Sequence, residues 1–293
     1  MKPSVTIHRP DPALAVPLVI HVPHAADVIP PHCRADFVLD DADLREVVAA
    51  LIDHDTDRLA LAAVPLGAHV FVNEVCRLVV DPERFPDDAD EPAAIHGLGS
   101  VYVNAHDGRR LRRPDWSAAD RSARMEEFYH PYHRAMRDLV LELRGRFEGP
   151  VHILDLHSFP ERPLPYETGV GPRPRYCLGW MDAHVPRDWL AWWDARAADV
   201  PGLVAHNRPF AGAFVPGGLP DGALPDVRSL MVEVNRSLLP AWPQRPPLPG
   251  AHGRAGLVRE FFEFACRNLR RQVVDPSTTR RRRSVSTTEG SRP

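Results

Sequence analysis

Short, continuous apolar runs alternate along this chain with longer stretches whose apolar residues recur at helical spacing. Val16–Val22 is a run of the first kind and leads directly into Pro23 and His24, which predicts a buried strand delivering a histidine at its end. Ala68–Val72 and Leu78–Asp81 predict short strands, as do Val151–Asp155, Arg175–Trp180 and Ser229–Val234. Asp43–Leu66 carries the apolar stripe Val48, Ile52, Leu59, Ala62 and Leu66 behind an aspartate able to cap it, so it predicts a helix. Ser117–Phe147 predicts a long amphipathic helix broken near Pro131. Arg187–Asp199 predicts a shorter helix and Gly253–Val274 a closing one. Strands alternating with helices predict an α/β fold, a mainly parallel central sheet flanked by helices.

Composition narrows the setting. With 293 residues, 44% of them hydrophobic and 26% charged, the chain is long enough for a large buried core. We expect a single domain over residues 1–274, followed by an arginine-rich, solvated tail at 275–293 that contains Arg280–Arg283 and no apolar periodicity. A net charge of -3 gives no general attraction to nucleic acid or acidic membranes, and no apolar run is long enough to span a bilayer. The segment Met1–Asp11 lacks a secretory pattern, which makes the cytoplasm the expected location. Cys33, Cys76, Cys177 and Cys266 are scattered and predict neither a disulfide framework nor a cysteine metal site. Proline, at 32 residues, gathers in loops such as Pro160–Pro174 and Pro240–Pro249, which suits a site built from connections.

Chemistry enters with two histidines. His24 and His157 both follow apolar strands, and the carboxyl ends of strands in an open α/β sheet are where ligands bind. A catalytic zinc site takes three imidazole or carboxylate ligands and keeps one position open. The third ligand would come from Asp53-His54-Asp55-Thr56-Asp57. In an unbroken helix Asp55 lies on the apolar stripe and points inward, while Asp53 and Asp57 share another face; periodicity alone favours Asp55. Glu233 interrupts the apolar strand Ser229–Val234, either as the ion-pair partner of an arginine such as Arg236 or as a base whose pKa burial raises.

Taken in order, Pro23-His24-Ala25, Asp53–Asp57, Arg77–Asp81, Asp155-Leu156-His157-Ser158 and Glu233-Val234-Asn235-Arg236 resemble the motifs of N-formylglutamate amidohydrolases. Tyr129–His133, Leu178-Gly179 and Asn207–Gly212 support the resemblance, which spans about Val16 to Leu239. It implies a zinc-carboxypeptidase-like (phosphorylase/hydrolase-like) α/β fold, with His24, Asp53 and His157 holding one zinc ion and Glu233 as general base. On that reading the third ligand is Asp53, against the helical pattern. The chain departs from the family pattern at Ala26, where glycine is usual, at Cys76, where serine is usual, and at Gly212-Ala213, where paired glycines are expected. It also has Asp81-Pro82-Glu83-Arg84 where Asp-Leu-Asn-Arg is usual. Metal and base positions persist while pocket positions change.

The reaction implied is hydrolysis of the amide of an N-acyl, N-formyl-like amino acid, a small-molecule substrate. Arg77, Arg84 and Arg236 are candidates to bind its carboxylates, with Asn207 and Asn235 orienting it. Competing readings are a zinc amidase acting on peptides or cell-wall fragments and a non-catalytic binding protein on the same fold.

Overall fold

The computed structural model describes residues 4–167, 171–216, 226–240 and 256–274. The arginine-rich tail at 275–293 lies outside the described residues, as do most of the second proline loop and the first residues of the expected closing helix.

In chain order the elements are β1 (Val5–His8), β2 (Leu18–Val22), α1 (Asp41–Leu51), α2 (Thr56–Ala60), β3 (His69–Asn73), α3 (Ala118–Arg124), α4 (His130–Arg146), β4 (Val151–Phe159), β5 (Tyr176–Gly179), α5 (Arg187–Ala197), β6 (Val204–His206), β7 (Val227–Asn235) and α6 (Gly256–Val274). The seven strands form one sheet in the order β1-β3-β2-β4-β7-β5-β6. Its centre, β3-β2-β4-β7, is parallel, whereas β1 and β5 join antiparallel. The fold is therefore mixed α/β.

Strand periodicity distributes the core over two faces. Leu18, Ile20, Leu154, Leu156, Leu230 and Val232 pack on one face against Trp189 and Trp193 of α5 and Phe261 and Phe262 of α6. Val19, Phe71, Val151, Ile153 and Val227 pack on the other against Tyr132, Met136, Leu139 and Leu143 of α4. Asp155, His157 and Glu233 continue that second face toward the carboxyl ends of β4 and β7, where His157 stands opposite Glu233. No helix among the described residues is long and apolar enough to cross a membrane.

Three expected elements take a different form. The segment expected as one helix over Asp43–Leu66 starts earlier, with the Asp40 side chain accepting from the amides of Ala42 and Asp43, and stops at Leu51. The amide of Asp53 donates to the carbonyl of His24 at 2.9 Å instead of continuing the helical ladder, and Asp55 sits at φ 59. The long helix does not break at Pro131: a π turn at Met125–Tyr129 joins α3 to α4. That wider turn contains Glu127, whose carbonyl the Pro131 ring would otherwise crowd. Leu78–Asp81 forms no strand: Leu78 and Val79 lie in a turn, and Arg112 donates to their carbonyls (2.6 and 3.2 Å), withdrawing them from any ladder.

Candidate active site

His24, Asp53 and His157 converge from three different segments. His24 follows β2, His157 lies in β4, and the break after α1 presents Asp53. Each offers a ligand atom within 4.8 Å of the other two, and all three residues are buried. Asp53 Oδ2 lies 2.9 Å from His157 Nδ1 and 3.7 Å from His24 Nδ1. Its other oxygen faces Arg236 at 3.8 Å and Arg77 at 3.9 Å. Asp55 turns away from the histidines and accepts from Arg58 at 2.8 Å. The helix break, invisible to periodicity, decides which aspartate faces the site.

Both imidazoles are oriented from behind. His24 donates from Nε2 to Asp81 Oδ1 at 2.8 Å, and His157 donates from Nε2 to Asp155 Oδ1 at 3.0 Å. This leaves Nδ1 of each ring to face the centre, the carboxylate–histidine arrangement that fixes tautomers at metal sites. His24 Nδ1 is buried and has no hydrogen-bond partner. An orphaned imidazole nitrogen beside a carboxylate and a second imidazole fits a divalent cation such as zinc. Two further groupings of potential ligands occur among the described residues: His21, Glu83 and Asp155 next to the centre, and His32 and Glu127 around the buried Cys33.

The electrostatics favour positive charge at this point. Burial and Arg77 oppose protonation of His24, but Asp81, Glu83 and Asp53 outweigh them and raise its pKa. Burial likewise opposes charge on His157, yet Glu83, Asp155 and Asp53 hold its pKa well above the usual histidine value. Burial works against ionised Asp53 too; its contacts with His157 and His24 reverse that and lower its pKa. A field that binds a proton this firmly also attracts a metal cation.

Glu233 has the opposite character. Burial pushes its carboxyl up to about 8, with His157 opposing and Asp53 reinforcing the shift, and its Oε2 has no hydrogen-bond partner. These residues open onto a cavity of about 970 Å³, lined by His24, Asp53, Glu83, His157 and Glu233 together with Arg77, Arg84, Arg134, Arg137 and Arg236.

The expected substrate-binding residues divide. Arg77 lines the cavity but donates from Nε and Nη2 to Asp81 Oδ2 at 3.0 and 2.7 Å. Arg84 also lines it, contacts Glu91 at 3.2 Å and directs its buried Nε, which makes no hydrogen bond, to Asp81 Oδ2 at 3.8 Å. Arg236 gives its Nη groups to the carbonyls of Ala50 (3.0 Å), Ile52 and Ser158 (3.4 Å), which secures the loop carrying Asp53. Neither Asn207 nor Asn235 lines the cavity. Asn207 accepts from the amides of Trp180 and Gly212, and Asn235 bridges the Pro174 carbonyl and the Ser237 amide. Sequence reasoning missed Glu83, Arg134 and Arg137, which face the cavity, and the supporting set Asp81, Asp155, His21 and Tyr132. Asp81 and Asp155 stood inside quoted motifs; an aspartate two residues before a strand-end histidine was the available signal for Asp155.

A model of the N-formylglutamate amidohydrolase family matches residues 16–239. The curated N-formylglutamate deformylase of Pseudomonas aeruginosa is 34% identical over 148 residues, covering 49% of this chain and 52% of that protein. The matched stretch thus spans about half the length of that relative. The crystal structure of N-formylglutamate amidohydrolase from Ralstonia eutropha JMP134 aligns with a TM-score of 0.73 at 22% identity, over 92% of this chain and 99% of that one. A crystal structure of a gene product from Agrobacterium tumefaciens aligns with a TM-score of 0.65 at 18% identity, over 93% and 96%. At these identities the two structures share the fold with this chain.

Proposed function

Because the chain belongs to the N-formylglutamate amidohydrolase family, we propose that it is a zinc-dependent amidohydrolase that cleaves the amide of an N-formyl-like amino acid. His24, Asp53 and His157 would hold the ion and Glu233 would act as general base, within one catalytic domain of zinc-carboxypeptidase-like type reaching residue 274. The observation that carries this reading is the orphaned, buried His24 Nδ1 facing Asp53 and His157, with Glu233 opposite His157 on the adjacent strand.

When bound, zinc lowers the pKa of a coordinated water to about 7 and polarises a carbonyl oxygen. The chain's own residues supply the rest. Asp81 and Asp155 keep the Nδ1 atoms of the two imidazoles directed at the centre. Glu233 takes the proton of the attacking water on its unpartnered Oε2 and passes it to the leaving amine; a raised pKa makes it able to hold that proton between the two transfers. Arg84, Arg134 and Arg137 line the cavity and bring it the positive charge that would meet a substrate carboxylate. Arg77 and Arg236 act mainly by holding Asp81 and the Asp53 loop in place.

The test is formate release from N-formylglutamate and a panel of N-acyl amino acids, before and after chelation. Activity that is lost to the chelator and restored by zinc is expected. Hydrolysis that survives complete metal removal, or no hydrolysis of any panel member by the zinc-loaded protein, would refute the proposal.

A further inference from the structure

His21 is a polar residue on an apolar face. In β2 it shares the side of the sheet with Val19 and packs beside Phe71 of β3 and Tyr132 of α4, its side chain fully buried. An imidazole placed there costs free energy unless its nitrogens find partners. Both do. Nδ1 lies 2.8 Å from Asp155 Oδ1, on the residue paired directly with His21 across β2 and β4, and Nε2 meets the Tyr132 hydroxyl. Glu83 Oε1, at 3.6 Å from Nδ1, is too far for a hydrogen bond. A carboxylate only accepts, so Nδ1 carries the hydrogen and donates it to Asp155; in the neutral ring Nε2 then accepts from Tyr132. Burial holds the Tyr132 phenol well above its ordinary pKa, so the hydroxyl keeps the hydrogen it donates. Phe214 flanks the ring, with 4.2 Å between centroids.

Asp155 receives three donors. His21 Nδ1 and His157 Nε2 share Oδ1, at 2.8 and 3.0 Å, and the Phe214 amide reaches Oδ2 at 2.8 Å. The oxygen that orients His157 is therefore the one His21 holds. Without His21, only the Phe214 amide and His157 itself would define how the carboxylate is turned. The other metal-facing histidine is supported in a parallel way. His24 donates to Asp81, and Asp81 in turn is held by the Arg77 guanidinium at 2.7 Å. His21 stands to Asp155 as Arg77 stands to Asp81, with a neutral ring in place of a cation.

We propose that His21 is a positioning residue of the metal centre: clamped by Tyr132, it locks the Asp155 carboxylate in the orientation that aims His157 Nδ1 at the ion. The inference rests on the metal-centre reading above. It extends the support of His157 into the chain Tyr132–His21–Asp155–His157, three of whose members never touch substrate or metal. What the chain needs from His21 is a donor bonded directly to Cγ. The amide nitrogen in His21→Asn meets that need, whereas His21→Phe keeps an aromatic ring against Phe214 and donates nothing.

The test uses the metal-free full chain, wild type and with His21→Asn, His21→Phe or Tyr132→Phe, each first shown to be folded by thermal melting. Zinc and cobalt affinities are measured by competition with a chelator, and the cobalt-loaded forms by visible absorption, which reads ligand geometry. His21→Phe is expected to lose affinity by about 10-fold or more, with an altered cobalt spectrum. His21→Asn should recover most of the affinity and the wild-type spectrum, and Tyr132→Phe should show a smaller loss in the same direction. Wild-type affinity and spectrum in His21→Phe would overturn the proposal. So would a loss in His21→Asn as large as in His21→Phe, because the imidazole would then act by filling space. Should His21→Phe not fold, Tyr132→Phe decides, and an unchanged affinity and spectrum there would overturn the proposal. Failure of the wild-type chain to bind either ion would overturn the metal centre and this inference together.

Discussion

Replacing Glu233 by glutamine keeps the shape of a buried side chain and removes its ability to exchange a proton. In the metal-free protein the consequence for stability follows from the raised carboxyl pKa, about 8 against an ordinary 4.5, set first by burial. Between those values the folded protein holds a proton that the unfolded chain has released. Stability therefore falls as pH rises from about 4.5 toward 8, by up to about 1.4 kcal/mol per pH unit. Carried to pH 7 this amounts to a loss on the order of 3 kcal/mol. Below pH 4.5 both states are protonated and the group contributes no slope. Glutamine contributes none at any pH. Urea unfolding of the two metal-free proteins from pH 4.5 to 8 should give curves that diverge steadily, the wild type losing stability relative to the variant. Parallel curves would refute the raised pKa and with it the argument that burial prepares Glu233 to hold a proton. With zinc restored, the same variant should keep its metal and lose turnover by about 10²–10⁴-fold.

Asp53→Asn and His157→Ala should each abolish stoichiometric metal binding, measured by elemental analysis, whereas Asp55→Asn should retain a full complement, since Asp55 is directed to Arg58. Arg236→Ala leaves the carbonyls of Ala50, Ile52 and Ser158 without their donor. Chemical denaturation should show a loss of about 2–4 kcal/mol, and metal affinity should fall as the Asp53 loop loosens. Gly67 has φ 108, and a Cβ there would lie 2.2 Å from the Leu14 carbonyl oxygen. Gly67→Ala should lower stability by more than about 1 kcal/mol, read as a lower melting temperature with metal binding retained.

Much of the sheet was legible because its central strands are buried on both faces. Leu18–Val22, Val151–Phe159 and Val227–Asn235 appear as apolar runs, and the polar residues that interrupt or follow them, His24, His157 and Glu233, stand out against that background. The edge strands β1 and β6 went unpredicted because they are short and only partly buried, with no apolar run to mark them. The aspartate cluster shows where periodicity stops being informative. Helical phase points Asp55 inward, but the His24 carbonyl captures the Asp53 amide, the chain turns through the left-handed region at Asp55, and Asp53 reaches the histidines instead. That competing hydrogen bond comes from a segment about thirty residues away and leaves no local signature. Glu83 was hidden for a similar reason. It belongs to a turn shaped by Asp81, His133 and Tyr129, and only the folded chain brings its carboxylate to His21, His24 and His157. The family motifs, read in order, supplied the choice of Asp53 that periodicity could not.

The account turns on where a metal ion binds. Crystals of the zinc-loaded protein, measured on both sides of the zinc absorption edge, should give one strong anomalous peak between His24 Nδ1, Asp53 and His157, with bonds of about 2.0–2.2 Å. A peak at the His32, Cys33 and Glu127 group instead, or no peak beside His24 in a zinc-saturated crystal, would contradict the metal centre and the hydrolytic mechanism built on it.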